Sequence, residues 1–172
     1  MHTTELDPKK LRERFTYNPE TGDLTVKGYE HNANRPRKTG KYRIASLPGK
    51  ILVYAHRVAW AITHGEIPDG FHIDHINGDT QDNRIANLRL CDRNQNLSNR
   101  GLPKSNTSGY KGVIWLKRER KWFAAIWKAN KKHNLGYYDC PKEAARAYDK
   151  AALELHGEFA QTNASIGTLN DD

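Results

Sequence analysis

The sequence turns on His72-Ile73-Asp74-His75-Ile76-Asn77-Gly78-Asp79, then Asn87-Leu88-Arg89-Leu90-Cys91, then Asp92 through Ser98. Phe71–Ile76 reads as a strand, and Asn77-Gly78-Asp79 is a strong turn signal. Asn87–Cys91 makes a second short strand. Asp92 is well placed to N-cap a helix running through Ser98. Strand, turn, strand, helix is therefore the expected order, with Asp74 and His75 on the first strand, Asn87 at the start of the second and Asn96 on the helix. Neighbouring side chains on a regular strand point to opposite faces. Asp74 and His75 can serve one centre only if the strand ends or bulges there, and the Asn77-Gly78 turn supplies such an ending.

Upstream of this stretch, His56 to His64 carries Val58, Trp60, Ala61 and Ile62 at helical spacing, with Gly65 just beyond as a stop. Tyr42–Leu47 and Ile51–Ala55 read as strands joined by Pro48-Gly49-Lys50. Residues 30–41 are polar and basic and read as an exposed loop. Before them come a short helix from Leu6 to Phe15, a turn over 18–23, and the strand Leu24-Thr25-Val26-Lys27. Downstream, residues 99–108 have the composition of a linker. Lys111–Leu116, Trp122–Asn130 and His133–Tyr138 then read as three strands. Pro141 opens a helix that Gly157 closes, with Ala144, Tyr148, Ala151, Ala152 and Leu155 on one face.

The expected fold class is α+β. An N-terminal basic, β-rich segment (1–55) precedes a ββα unit (56–100) and a linker (101–108). A three-stranded antiparallel sheet packed on one helix (109–163) and a tail (164–172) follow. The composition agrees with small modules. The 172 residues are 37% hydrophobic, too few for one large core, while four Trp and eight Tyr argue against disorder. No run of about 18 apolar residues and no apolar segment after Met1 is present, so neither a membrane span nor a secretory signal is expected. Cys91 and Cys140 form no CxxC pair, which excludes a four-cysteine zinc ribbon and fits a reducing, cytoplasmic setting.

The net charge of +8 is uneven: +5 over residues 1–55, zero over 56–108, +6 over 109–140 and −3 over 141–172. Two basic regions flanking a neutral one suit a polyanion gripped at two places. The neutral region holds the densest chemistry. Phosphodiester hydrolysis needs a base to activate water and a hard cation to neutralise the phosphate and the leaving oxygen. Asp74 and Asn96 are oxygen ligands suited to Mg²⁺ or Mn²⁺. Histidine is the side chain whose ordinary charge change falls near neutrality, so His75 can be the base, with Asn87 accepting the proton of its other ring nitrogen. Plainer roles are expected for the neighbours: structural or phosphate-adjacent for His72, packing for His56 and Trp60, and turn or Asx-cap roles for Asp79, Asp82 and Asn83. A zinc site from His72, Asp74, His75 and Cys91 matches no standard spacing.

With these residues in place, 56–100 resembles the HNH nucleases, and more closely the phage-type homing endonucleases that carry the ββα-metal motif. The resemblance implies Asp74 as a metal ligand, His75 as the general base, Asn87 as the residue that orients the base, and Asn96 as the second metal ligand. Asn96 stands where the literal motif has His, which favours an oxygen-loving ion. The stretch Tyr-Asn-Pro-Glu-Thr-Gly-Asp-Leu at 17–24 is similar to the segment preceding the motif in phage members.

Residues 109–163 resemble a second family, the DNA-binding domain of plant ethylene-response factors. The likeness rests on Gly109-Tyr110-Lys111-Gly112-Val113, Trp122-Phe123-Ala124-Ala125-Ile126, Leu135-Gly136-Tyr137-Tyr138 and the run from Glu143 to Ala152. It implies a sheet in the major groove, with Lys111, Trp127, Lys132 and Asn134 at matched contact positions. Lys117, Arg118, Arg120 and Lys128 are unmatched basic neighbours suited to phosphate. Ile114 and Trp127 stand where the plant domains often have Arg, so the plant recognition sequence does not transfer. Trp122 and Tyr148 are expected in the core.

Together the resemblances imply a site-preferring endonuclease of the homing type acting on double-stranded DNA. It would use one divalent metal ion, Mg²⁺ or Mn²⁺, and leave 5′-phosphate and 3′-hydroxyl ends in the host bacterial cytoplasm. No feature marks a membrane or a protein partner, and a monomer or weak dimer is expected. The alternatives are a non-catalytic DNA-binding regulator with a relic HNH unit and a less selective phage DNA-processing nuclease.

Overall fold

Asp7 starts the first element by accepting the backbone N–H groups of Lys9 and Lys10, and Pro8 sits in the first turn where its missing N–H costs nothing. The result is α1 (Pro8–Arg14). A computed structural model describes residues 6–29, 33, 35–36 and 42–169. It divides into two compact units, one ending at Arg93 and one beginning at Asn94.

In the first unit the helix stops one residue earlier than its sequence suggests. Phe15 adopts extended φ/ψ and opens β1 (Phe15–Tyr17), which pairs antiparallel with β2 (Leu24–Val26). Burial decides this: Phe15 is 2% exposed. The turn between them is built by Asn18, whose Oδ1 accepts from the backbone N–H groups of Glu20 and Thr21. β3 (Arg35–Pro36), β4 (Arg43–Leu47) and β5 (Ile51–Tyr54) form a three-stranded antiparallel sheet in that order. The exposed loop expected over 30–41 lies outside the described residues except at 33, 35 and 36. α2 (Ala55–His64) follows and ends at Gly65, where φ is +92°.

α2 is the hinge of the packing. Its Val58 and Ala61 join Leu11, Phe15, Leu24, Ala45 and Val53 in one core, while Ala59 joins Ile73 and Leu88 in a second. The expected division at residue 55 therefore runs through a shared core rather than between two. The second cluster anchors the antiparallel pair β6 (His72–His75) and β7 (Leu88–Cys91), with His72 opposite Cys91 and His75 opposite Leu88. A short 3₁₀ turn, Ile85–Asn87, leads into β7.

α3 (Arg93–Ser98) spans the boundary between the units. In the second unit β8 (Val113–Leu116), β9 (Lys121–Lys128) and β10 (Lys131–Tyr138) form an antiparallel sheet in the order β10-β9-β8. α4 (Pro141–His156) covers one face, where Ala144 and Ala145 pack on Val113 and Ala124. Tyr148, Ala151 and Ala152 pack on Ile126, so Tyr148 is core as expected. Trp122 is half-buried against the first of these clusters. Gly112 is required: its φ is +74°, and a Cβ there would collide with the Tyr148 ring. Among the described residues no helix is long and apolar enough to cross a membrane.

Candidate active site

β6 ends at His75. Gly78 N–H donates to the His75 carbonyl at 3.0 Å, and Ile76 N–H donates to the Asn87 carbonyl at 2.9 Å. This ending lets two successive side chains both leave solvent, with Asp74 8% and His75 3% exposed. Asp74 lies opposite Arg89 in the strand register. Arg89 Nε and Nη2 both donate to Asp74 Oδ2, at 3.1 and 3.0 Å, so this buried carboxylate is charge-compensated. Sequence reading passed over Arg89, although its place opposite Asp74 follows from the hairpin register.

His75 Nε2 lies 3.0 Å from Asn83 Oδ1. An amide oxygen only accepts, so Nε2 carries the proton and the imidazole lone pair resides on Nδ1. Asn83 is itself braced from the N-terminal turn. Tyr17 Oη donates to the Asn83 carbonyl at 2.7 Å, and Ile85 N–H donates to the Pro19 carbonyl at 3.1 Å. A Cβ on Gly22 would stand 2.6 Å from both the Asn83 carbonyl carbon and the Arg84 nitrogen, with φ at +75°. Burial pushes the Tyr17 hydroxyl up to about 12, so it remains a donor.

Asn87 does not do what was expected of it. Its Oδ1 accepts the Asn77 N–H at 3.0 Å and its Nδ2 donates to the Asp82 carbonyl at 2.8 Å. It therefore ties the start and the middle of the loop between β6 and β7 to the loop's end, and the residue hydrogen-bonded to the imidazole Nε2 is Asn83. The reason is local: a carboxamide beside a tight turn meets unpaired backbone groups before it meets a ring. Asp79 and Asp82 have the turn roles expected of them. Asp79 accepts from Gln81 N–H, and Asp82 binds Arg84 and Asn77. The hydrogen bond from Arg84 holds the Asp82 carboxyl down at about 2.

His56 packs behind His75. It is 6% exposed, its ring centroid lies 5.0 Å from that of His75 in an edge arrangement, and it stacks on Tyr54 at 5.5 Å. Tyr42 completes the box, 5.3 Å from His56 and 6.0 Å from His75. His56 Nδ1 is buried without a hydrogen-bond partner. Burial first, then the charges of His75 and Arg57, lower its pKa to about 3, so it is a neutral ring. Packing is thus the role of His56, as for Trp60, which stacks on His64 at 4.1 Å.

The donor chemistry here fits a hard cation. Asp74 offers a carboxylate, and Mg²⁺ is commonly held by one or two carboxylates plus water and substrate phosphate. A zinc set does not form. The Cys91 thiol donates to the His72 carbonyl, and burial pushes it up to about 12. Among the described residues no cluster of three His, Cys, Asp or Glu side chains is arranged to hold a metal. Asn96 sits half-buried on α3, on the side of the chain division that belongs to the second unit.

The second unit requires one correction. Lys111, expected on DNA, is 9% exposed, and its Nζ donates to the Ser98 and Gln161 carbonyls at 2.9 and 3.0 Å. Burial lowers its pKa to about 8. Its backbone N–H donates to Asn163 Oδ1, and Asn163 is held in turn by Asp149. Lys111 therefore ties the chain before β8 to the segment after α4. The other residues expected at DNA are exposed: Lys117, Arg118 and Arg120 on the β8–β9 turn, and Trp127, Lys128, Lys132 and Asn134 on β9 and β10.

Comparison with known proteins finds two families along the chain. Residues 53–98 match the HNH endonuclease family and residues 108–158 match the AP2 domain. Protein 3.8 of Escherichia phage T7 is 39% identical over 106 residues, covering 62% of this chain and 87% of that protein. A protein of Acanthamoeba polyphaga mimivirus named as an HNH endonuclease is 35% identical over 109 residues, 63% of this chain and 56% of its own length. The AP2-like ethylene-responsive transcription factor TOE2 of Arabidopsis thaliana is 41% identical over 75 residues, 44% of this chain but 15% of that protein.

Proposed function

Because the chain belongs to the family of phage T7 protein 3.8 and joins an HNH endonuclease domain to an AP2 domain, we propose that it is a site-preferring endonuclease of the homing type acting on double-stranded DNA. The observation that carries the reading is the buried pair at the end of β6: His75 fixed by Asn83 beside Asp74 compensated by Arg89. With Nε2–H committed to Asn83, Nδ1 of His75 takes the proton from water as the water attacks phosphorus. The resulting imidazolium is stabilised where it forms, since Asn83 Oδ1 accepts from it more strongly once the ring is charged. Asp74 would hold a divalent cation, and the match of Asn96 to the last motif position supports it as a second oxygen ligand. When bound, Mg²⁺ or Mn²⁺ would supply charge neutralisation at the phosphate and at the departing 3′ oxygen. The exposed basic side chains of the second unit would hold the phosphate backbone, with the sheet face against bases. One such centre per chain nicks one strand, and a double-strand break would need two chains or two encounters.

The test is cleavage of labelled phage and host DNA with Mg²⁺ or EDTA, mapping both strands. His75→Ala should abolish cutting while DNA binding stays within about twofold. Unchanged cutting by that variant sinks the assignment, and cutting at random positions would favour the less selective DNA-processing nuclease.

A further inference from the structure

The face of the β8–β10 sheet that α4 leaves open has an unusual surface for a DNA reader. Strand register places Ile114, Phe123 and Tyr137 in one row, Ala125 and Asn134 in the next, and Trp127 and Lys132 in a third. Phe123 is 7% exposed, but Ile114, Tyr137 and Trp127 are 50%, 58% and 61% exposed. The centre of this face is therefore apolar and aromatic. Lys132 leans its ammonium over the Phe123 ring at 4.9 Å, and Lys121 is paired with Asp139 at 2.6 Å. No arginine occurs in any of the three strands. Cations instead ring the face at its two hairpin ends, with Lys117, Arg118 and Arg120 on one turn and Lys128 and Lys131 flanking the other.

Resting on the reading of this face as the DNA-contacting one, we propose that it recognises thymine methyl groups and adenine edges, so that the preferred site is rich in A·T pairs. In the major groove the thymine C5 methyl is the largest apolar feature of any base edge, whereas guanine presents two acceptors and cytosine an amino group with only a small C5–H beside it. Setting Ile114, Ala125 and the ring face of Trp127 against guanine O6 and N7 would strip water from acceptors without supplying a donor. Against thymine methyls the same side chains bury apolar surface on apolar surface. Asn134 is the strand residue suited to bidentate contact with adenine N6 and N7. Guanine O6 and N7 are read by Arg or Lys. The strands offer no Arg, Lys132 lies over the Phe123 ring, Lys121 is paired with Asp139, and Lys128 and Lys131 sit at the hairpin end. The ring of cations favours a polyanion over an apolar protein partner for this patch.

The experiment uses the full chain in EDTA, so that binding is read without cutting. Duplexes recovered from a random pool should be enriched in A·T steps. Replacing thymine by uracil in a recovered site removes only the methyls and should weaken binding about fourfold per contacted methyl, the factor for burying one such group. Ile114→Gln and Trp127→Ala, both at exposed positions and checked for unchanged circular dichroism, should bring the thymine-to-uracil affinity ratio towards one. A G·C-rich recovered pool, or equal affinity for the uracil duplex, overturns the proposal. So does unchanged DNA affinity of both variants, which would point to a protein ligand for this face. Cutting of the thymine duplex in Mg²⁺ scores the nuclease reading separately: its persistence with no thymine dependence refutes this inference alone.

Discussion

His56 should make the first unit acid-sensitive well above the range where carboxylates protonate. Its pKa is about 3 in the folded protein against 6.5 unperturbed, because burial, His75 and Arg57 all oppose its charge. Between those values the unfolded chain binds a proton at this site that the folded chain refuses, so stability falls as pH falls. The contribution is intact above pH 6.5, erodes below it, and is fully lost near pH 3. One pKa unit is worth about 1.4 kcal/mol. Lowering the pH from 7 to 5 therefore costs about 2 kcal/mol at this site, and the whole window about 5 kcal/mol. Urea unfolding of wild type and His56→Phe at pH 7 and pH 5 reads the difference, since Phe keeps a ring between Tyr54 and His75 but cannot charge. Wild type should lose about 2 kcal/mol more than the variant over this interval. Equal losses would refute the account, for they would mean that the folded protein admits the proton.

Lys111→Met should destabilise the second unit by about 1–3 kcal/mol, since the Ser98 and Gln161 carbonyls lose their donor. DNA affinity measured below the melting range should change little, whereas Lys128→Ala should lower it and reduce the slope of log affinity against log salt by about 0.9. Arg89→Ala strands the Asp74 carboxylate and should cost about 3–5 kcal/mol in thermal or urea unfolding, with Arg89→Lys recovering part of it. Asn83→Ala frees the His75 tautomer, so it should lower kcat and displace the acidic limb of the pH–rate profile at near-unchanged KM. Asn87→Ala should instead appear as loop disorder in hydrogen exchange at residues 76–82.

Much of the fold is legible because its signals are local. Asn77-Gly78, Gly65, Pro141 and the alternation along Trp122 to Trp127 each fix an element within a few residues, and the structure places elements there. Phe15 departs from its local reading because the core below it, not its helix propensity, sets its backbone. The candidate site is legible in its membership and less so in its wiring. Asp74 and His75 are a motif, and their shared burial follows from the end of β6. The partner of His75 does not follow, since Asn83 and Asn87 are chemically identical and stand at similar distances in sequence. Their roles separate only when the loop closes. Lys111 escapes for a related reason. A lysine among basic neighbours reads as a phosphate contact, and only the return of residues 161–163 beneath it turns it inward.

The N-terminal turn gains its meaning from the same wiring. The resemblance of residues 17–24 to a segment ahead of the motif was a pattern without a mechanism. The mechanism is Asn83. Its side chain sets the proton on His75, and its backbone is held by Tyr17, 66 residues earlier. The approach at Gly22 is too close for any Cβ, so the turn and the loop behave as one body. On the proposed reading of His75 as general base, its lone pair must sit on the correct nitrogen before water arrives, because a ring free to flip spends part of its time with the wrong atom presented. A short loop cannot supply that rigidity by itself. Bracing it with a second hairpin, fixed through Phe15 and Leu24 to the core shared with α2, supplies it. On that proposal the first unit supports one imidazole through a core that does not divide where the charge pattern does.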